Sequence, residues 1–252
     1  MKSAGGTPRT AAPVGCALWC ALLTGCTQAP PPPLTRAAPT TEATQAKPKD
    51  RLFSAQDLGL LDAEDRNEWQ RPDQIMDALK IAEGSVVADL GAGGGWFTIR
   101  LAHRVEQSGL VLAEDIQRLM LVALRRRVER EGLRNVQTVL GTPNDPKLPL
   151  NVDAVLIVDA YHEMEDPADP SQVVTLLKNV ARSLKPQGCL GVVDFEPGGG
   201  GPGPDPEERI NPDTVIQTAA TAGLRLLKRE AVPPFQFLLV FGRSMATSRC
   251  SS

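Results

Sequence analysis

The chain has 252 residues with a formal net charge of −3, and its 42% hydrophobic and 23% charged residues are the composition of a globular protein large enough to bury a core. No global basic field draws it to nucleic acid, and an aromatic content of 4% leaves little for a base-stacking platform. With 5 cysteines, none in a C-x-x-C pair, and 2 histidines, neither a structural zinc site nor a disulfide framework is expected.

The start is weakly basic at Lys2 and Arg9, and the run AAPVGCALWCALLTGC follows. It is apolar but too short to cross a bilayer as a permanent helix, so residues 1–25 read as a secretory signal. The ending Leu23-Thr24-Gly25-Cys26 resembles the lipobox of bacterial lipoproteins. That resemblance implies that Cys26 becomes the first mature residue and carries a lipid anchor, while Cys16 and Cys20 leave with the signal. Residues 26–51 are rich in Pro, Thr and Ala and have no period. They cannot bury enough apolar surface to offset their ordering entropy, so they are expected to be a disordered tether. The expectation is a membrane-anchored lipoprotein of a bacterial envelope. The alternative is a cytoplasmic protein with a misassigned start.

From Leu52 to Arg243 the pattern is globular, and residues 244–252 read as a disordered tail. A helix is expected around Ile75, Met76 and Leu79, with Pro72 in its first turn and Gly84 closing the segment. SVVADL is a short β-branched run and therefore a buried strand. WFTIRLAHRV is a helix in which His103 is packing or surface. GLVLAED is a strand, IQRLMLVALRRRVEREG a helix with a basic outer face, and NVQTVLG and VDAVLIVDAY two further strands. PSQVVTLLKNVARSLKPQG is a helix expected to stop before Pro186, and CLGVVDF is a strand. EPGGGGPGPDPEER follows as a mobile loop, in which Glu207, Glu208 and Arg209 either meet substrate or form a solvated face. NPDTVIQTAATAG is a helix capped by Asn211 and closed at Gly223. LRLLKREAV and FQFLLVFGR are strands joined through Pro233-Pro234, too short for a crossover helix, so they pair as an antiparallel hairpin. Strand–helix alternation means a doubly wound α/β fold. The sheet has seven strands, is mostly parallel, and ends in that hairpin.

In such a sheet ligands bind beyond the carboxyl ends of the strands, so the turn Asp89-Leu90-Gly91-Ala92-Gly93-Gly94-Gly95-Trp96 is the first place to look. The dinucleotide pattern G-x-G-x-x-G fails: from Gly91 the third glycine falls on Trp96, and from Gly93 it falls on Thr98. The pattern D-x-G-x-G-x-G is met at Asp89, Gly91, Gly93 and Gly95. It resembles motif I of the class I S-adenosylmethionine-dependent methyltransferases, in the bacterial branch called type 11, whose sheet is Rossmann-like. The resemblance implies that these glycines and Ala92 pass beside the amino acid and ribose of the cofactor, with Asp89 toward the methionyl amino group. A ligand that is cationic and has no phosphate suits a carboxylate there. The family also implies that Asp115, followed by Ile116, binds the ribose hydroxyls. Glu114 stands before it, where a small apolar residue is expected. An acid after the third strand holds the adenine amino group in many relatives. Here Thr142 occupies that position, and Asn144 or Asp145 is the stand-in. At the end of the fourth strand Asp159 falls on the cofactor side, and Tyr161, His162 and Glu163 are candidates for lining the transfer site. His162 is the candidate base, because its ordinary pKa lies near neutrality. RNEWQRP also matches what this branch carries before its first strand, and places Trp69 and Gln70 either as a lid or as packing.

The resemblance implies methyl transfer from S-adenosylmethionine to an acceptor, expected to be a small molecule, without nucleic acid. Two rivals are a non-catalytic binding module at a membrane surface and a nicotinamide-dependent oxidoreductase. Trp96 and the terminal hairpin weigh against the second.

Overall fold

The computed structural model describes residues 52–198 and 200–244. The expected signal, the Cys26 anchor, the tether and the tail beyond Ser244 lie outside the described residues.

A 3-10 turn at Leu58–Asp62 precedes two short helices, α1 (Arg66–Gln70) and α2 (Pro72–Ala78). The alternating body follows: β1 (Val86–Leu90), α3 (Trp96–Val105), β2 (Leu110–Asp115), α4 (Arg118–Arg130), β3 (Val136–Leu140) and β4 (Val152–Val158). Then come α5 (Tyr161–Met164), α6 (Ser171–Ser183), β5 (Leu184–Phe195), α7 (Pro212–Thr221), β6 (Leu224–Val232) and β7 (Gln236–Arg243). The sheet order is β3-β2-β1-β4-β5-β7-β6. The first five strands in that order run parallel, and β7 is antiparallel to both its neighbours. This is the expected α/β architecture, with its terminal hairpin.

The central strands are apolar throughout because helices cover both faces. On one face Leu90, Leu112 and Ile157 pack with Leu177 and Val180 of α6 and Val215 of α7. On the other, Val87, Val111 and Leu156 pack with Phe97 and Leu101 of α3 and with Ile75 of α2. Each such side chain contributes about 1.5–3 kcal/mol by leaving water. α4 buries Met120, Leu121, Leu124 and Val128, and leaves Arg118, Arg125, Arg126 and Arg130 outside. The outer strand β6 exposes Arg225, Lys228 and Arg229, charges that discourage pairing along a free sheet edge.

Several boundaries differ from the expected ones. The helix stops before Pro186 as expected, at Ser183, but the next strand begins at Leu184 instead of Cys189, and Leu184 already pairs with Val152. A residue preceding proline is pushed out of the helical region, so the break propagates back to Leu184. The helix after β2 starts at Arg118 instead of Ile116, because the Gln117 N–H donates to Asp115 Oδ1 and holds the chain extended. β4 ends at Val158, where Asp159 takes a left-handed φ of 56°. The Gly/Pro-rich segment after β5 is tied down instead of loose. Arg209 donates to the carbonyls of Pro204, Glu196 and Pro202, and lies over the Phe195 ring.

Candidate functional site

Strand order reverses between β1 and β4, and a cleft of about 680 Å³ opens beyond their carboxyl ends. At the end of β1, Asp89 is buried, and its Oδ2 accepts a 2.6 Å hydrogen bond from the Thr98 hydroxyl. Burial pushes its pKa up to about 6, against the opposing pull of Thr98 and Arg66. The glycine turn needs its glycines for more than one reason. Gly91 has a φ of 69°, and a Cβ there would lie 2.8 Å from that of Ala160. Gly93 has a φ of 52°, and its N–H donates to Asp115 Oδ2 at 3.0 Å. Asp89, Gly91, Ala92 and Gly93 line the cleft. Gly95 does not: it faces Leu124, where a Cβ would meet the side chain at 3.0 Å, so it sets the packing of α3 on α4.

Asp115 at the end of β2 also accepts from the Gln117 N–H at 2.8 Å, and burial raises its pKa despite these amides. Ile116 lines the cleft beside it. Glu114 is 3% exposed yet reaches the cleft wall, and burial, then the Asp115 charge, push its carboxyl up to about 8. Beyond β3 the cleft is lined by Thr142 and Pro143, and not by Asn144 or Asp145. The Asn144 side chain accepts from the Thr142 hydroxyl, and Asp145 Oδ1 accepts from the Lys147 N–H. Both expected stand-ins are therefore engaged within their own turn.

The opposite end of the cleft is wired by long-range side-chain contacts. Asp159 pairs with Arg66 at 2.8 Å, and accepts from Gln70 at 3.4 Å and from Gln236. Burial raises its pKa, and the Arg66 guanidinium opposes the rise. Arg66 also donates to Gln70 and to the Leu61 carbonyl, and lies over the Trp96 ring. His162 Nδ1 sits 3.0 Å from Asp194 Oδ1, and Nε2 lies 3.9 Å from Glu163 Oε1. A carboxylate accepts only, so Nδ1 carries the proton and Nε2 keeps its lone pair. Burial alone pulls the imidazolium down, but the Asp194 hydrogen bond and charge carry its pKa above the ordinary value. Glu163 is raised by burial, and its Oε2 accepts from the Phe53 N–H at 2.9 Å. Tyr161 is not brought to the cleft. Its ring is fully buried in the core cluster with residues of α6 and α7.

Trp69 lines the cleft, 5.8 Å from Phe195 across ring centroids, while Gln70 is fully buried against Gln236. The segment Leu52–Asp62 lies over the turn: Leu58 and Leu61 face Gly94 and Gly93, and Phe53 bridges Gln117 and Glu163. Sequence reading assigned no role to Arg66, Asp194 or Gln236. Arg66 opened the quoted stretch RNEWQRP, and Asp194 left a readable signal as an acid near the end of an apolar strand, as Asp89 is. A separate surface depression is bordered by Arg100, Arg104 and Arg127, which are occupied by Asn67, Asp77 and Asp62.

Among the described residues the cleft has one lysine or arginine, Arg66, and it is paired with Asp159. A pyrophosphate does not fit such a set of carboxylates; a cationic, phosphate-free ligand does. Comparison with known proteins agrees. Residues 87–188 match the family described as methyltransferase domain. An uncharacterized methyltransferase of Mycobacterium tuberculosis is 38% identical over 133 residues, 52% of this chain and 48% of that protein. The chain spans about half the length of such curated relatives. A SAM-dependent methyltransferase from Aquifex aeolicus has the same fold with a TM-score of 0.69 and 27% identity, covering 75% of this chain and 98% of that one. A phosphoethanolamine N-methyltransferase from Haemonchus contortus, in complex with S-adenosyl-L-methionine, shares the fold with a TM-score of 0.57 and 15% identity over 70% of this chain and 53% of its own. Residues 87–188 are thus similar to a methyltransferase domain, and the described residues share the Rossmann-like fold of solved S-adenosylmethionine-dependent methyltransferases.

Proposed function

We propose that the chain transfers a methyl group from S-adenosylmethionine to a small-molecule acceptor. The observation that carries this reading is one covered cleft with two unlike ends. The end at β1 and β2 offers Asp89, the glycine turn and Asp115, which suit an amino acid, a sulfonium and a ribose. The end at β4 and β5 offers His162 and Glu163 beside aromatic walls. Its volume lies within the roughly 300–1,000 Å³ of small-molecule sites, which favours a small acceptor over a macromolecule.

Bound S-adenosylmethionine supplies an electrophilic methyl carbon. The residues of the chain align the two reactants and exclude water. Asp89 and Asp115 hold the cationic and hydroxyl groups of the cofactor. His162 receives the acceptor's proton at Nε2 where the nucleophile carries one, and Asp194 stabilises the imidazolium that forms. Leu58, Leu61 and Phe53 keep solvent from the reacting atoms. Attachment of this domain to an envelope membrane through Cys26 belongs to the same proposal and rests on Leu23–Cys26 alone. Labelling with a radioactive lipid precursor tests it.

Calorimetric titration of the purified chain with S-adenosylmethionine and with S-adenosylhomocysteine tests the cofactor. We expect saturable binding of both at micromolar concentrations; absence of binding at millimolar concentration would overturn the reading.

A further inference from the structure

Glu114 is a buried carboxyl that no step above uses. Its side chain leaves β2 between the ends of the two neighbouring strands, under the Gly91 N–H on one side and against Gly141 on the other. The fit at Gly141 is close. A Cβ there would lie 1.8 Å from Glu114 Oε1, so any larger residue would displace this carboxyl from where it sits. The chain thus pairs an acid where an apolar residue is expected with a glycine that admits it. Among the described residues no cation bears on the group: its charged neighbours are Asp115 on the same strand, Asp89 on β1 and Asp145 beyond β3. An ion pair is therefore not its role.

What lies beside it is a gap in the cofactor site. The purine end of the cleft is bounded by Ile116, Thr142 and Pro143. The Thr142 hydroxyl donates its one proton within the turn, to Asn144 Oδ1 and the Asp145 carbonyl, and so has none to give a ring nitrogen. Pro143 has no N–H to donate. Asn144 and Asp145 are engaged in their own turn. The loop after β3 thus presents no acid to an amino group and no backbone donor at Pro143. A purine seated there finds no donor from this loop for its ring nitrogen, and an unsatisfied polar edge is costly in a covered cleft.

We propose that Glu114 reads the amino edge of the cofactor's adenine, from β2, accepting from the amino group and donating to the ring nitrogen, the second of which Thr142 cannot do. One carboxyl oxygen accepts from the exocyclic amino group, and the protonated oxygen donates to the adjacent ring nitrogen. A neutral carboxyl has both functions at once, whereas a carboxylate accepts only. The environment favours the neutral form, since burial and Asp115 both oppose ionisation. The inference rests on the cofactor reading above but concerns one contact within it.

The test is calorimetric affinity for S-adenosylhomocysteine and for its analogue lacking the 6-amino group, in wild type, Glu114→Gln and Glu114→Val. Wild type is expected to bind the analogue at least about tenfold more weakly, because the site's polar group is left unpaired. Glu114→Gln keeps a donor and an acceptor and should retain that preference; Glu114→Val should reduce it to under about threefold. Between pH 7 and 9 the wild-type affinity for S-adenosylhomocysteine should fall severalfold more than that of Glu114→Gln, which has no proton to lose there. An unchanged preference in Glu114→Val, or identical pH profiles in wild type and Glu114→Gln, overturns the proposal. Wild type that binds neither ligand overturns the cofactor reading instead.

Discussion

The two ends of the cleft are held in different ways. At the cofactor end the partners are near in sequence or are backbone amides: Asp89 with Thr98, and Asp115 with the N–H groups of Gly93 and Gln117. At the acceptor end the partners are side chains brought from far along the chain. Arg66 meets Asp159, His162 meets Asp194, and Gln70 meets Gln236. The first end is a local motif mounted on a sheet. The second exists only once β4, β5, β7 and the N-terminal helices have packed. Substitutions should therefore separate: changes at the cofactor end alter ligand affinity, and changes at the acceptor end alter turnover or stability.

The largest effect is expected at His162. His162→Ala should lower transfer of labelled methyl into the small-molecule fraction of a cell extract by about 10²–10⁴-fold, with S-adenosylhomocysteine affinity kept within about threefold. A drop in both would erase the separation between the two ends. Asp194→Asn sharpens the same point through pH. Asp194 raises the His162 pKa, and a base must be neutral, so activity is lost as pH falls through that pKa. Removing the charge should move this acid limb to lower pH.

Arg66→Met comes next. It strips the cation from a buried carboxylate, and should cost about 3–5 kcal/mol in urea unfolding. Adding Asp159→Asn should recover most of the loss, because the uncompensated charge is then gone. If the double variant is as unstable as the single one, Arg66 acts through packing on Trp96 and not through Asp159.

At the cofactor end Asp115→Ala should weaken S-adenosylhomocysteine binding by roughly 10–100-fold, since each hydrogen bond to a charged group contributes about 1.5–3 kcal/mol. Global stability should change less than in Arg66→Met.

Glu114 makes a further contribution, spread over a range of pH. Its folded pKa is raised from 4.5 to about 8, so between those values the folded state holds the proton more tightly than the unfolded chain does. Stability of the ligand-free protein must then fall as pH rises across that window, by at most about 1.4 kcal/mol per pH unit from this one group. Glu114→Gln should flatten the decline in thermal unfolding between pH 5 and 8. The smallest effect is expected at Asn144, which faces solvent: Asn144→Ala should stay within about 0.5 kcal/mol and leave cofactor affinity unchanged.

The same contrast explains what could be read in advance. Hydrophobic periodicity and turn residues are local, and from them the seven strands, their helices and the terminal hairpin followed. Asp89, the glycine turn and Asp115 were legible because one short stretch carries each pattern. Tyr161 and His162 are neighbours in sequence and were read together, yet one points into the core and the other toward Asp194. Adjacent residues at the start of a helix project in different directions, and no local pattern says which one meets the cleft. Asn144 and Asp145 were plausible by type, but their side chains close a turn that forms only in three dimensions.

By itself the sequence determined the α/β class, the position of the cofactor turn at the first strand end, and the preference for a cationic ligand over a pyrophosphate. Those properties depend on residue type and spacing over a few positions. Tertiary structure alone decided that Arg66 neutralises Asp159, that Asp194 orients His162, and that Gly141 makes room for the carboxyl of Glu114. Each of these contacts joins residues that no sequence period relates, and each depends on strand order and on how the helices close over the sheet.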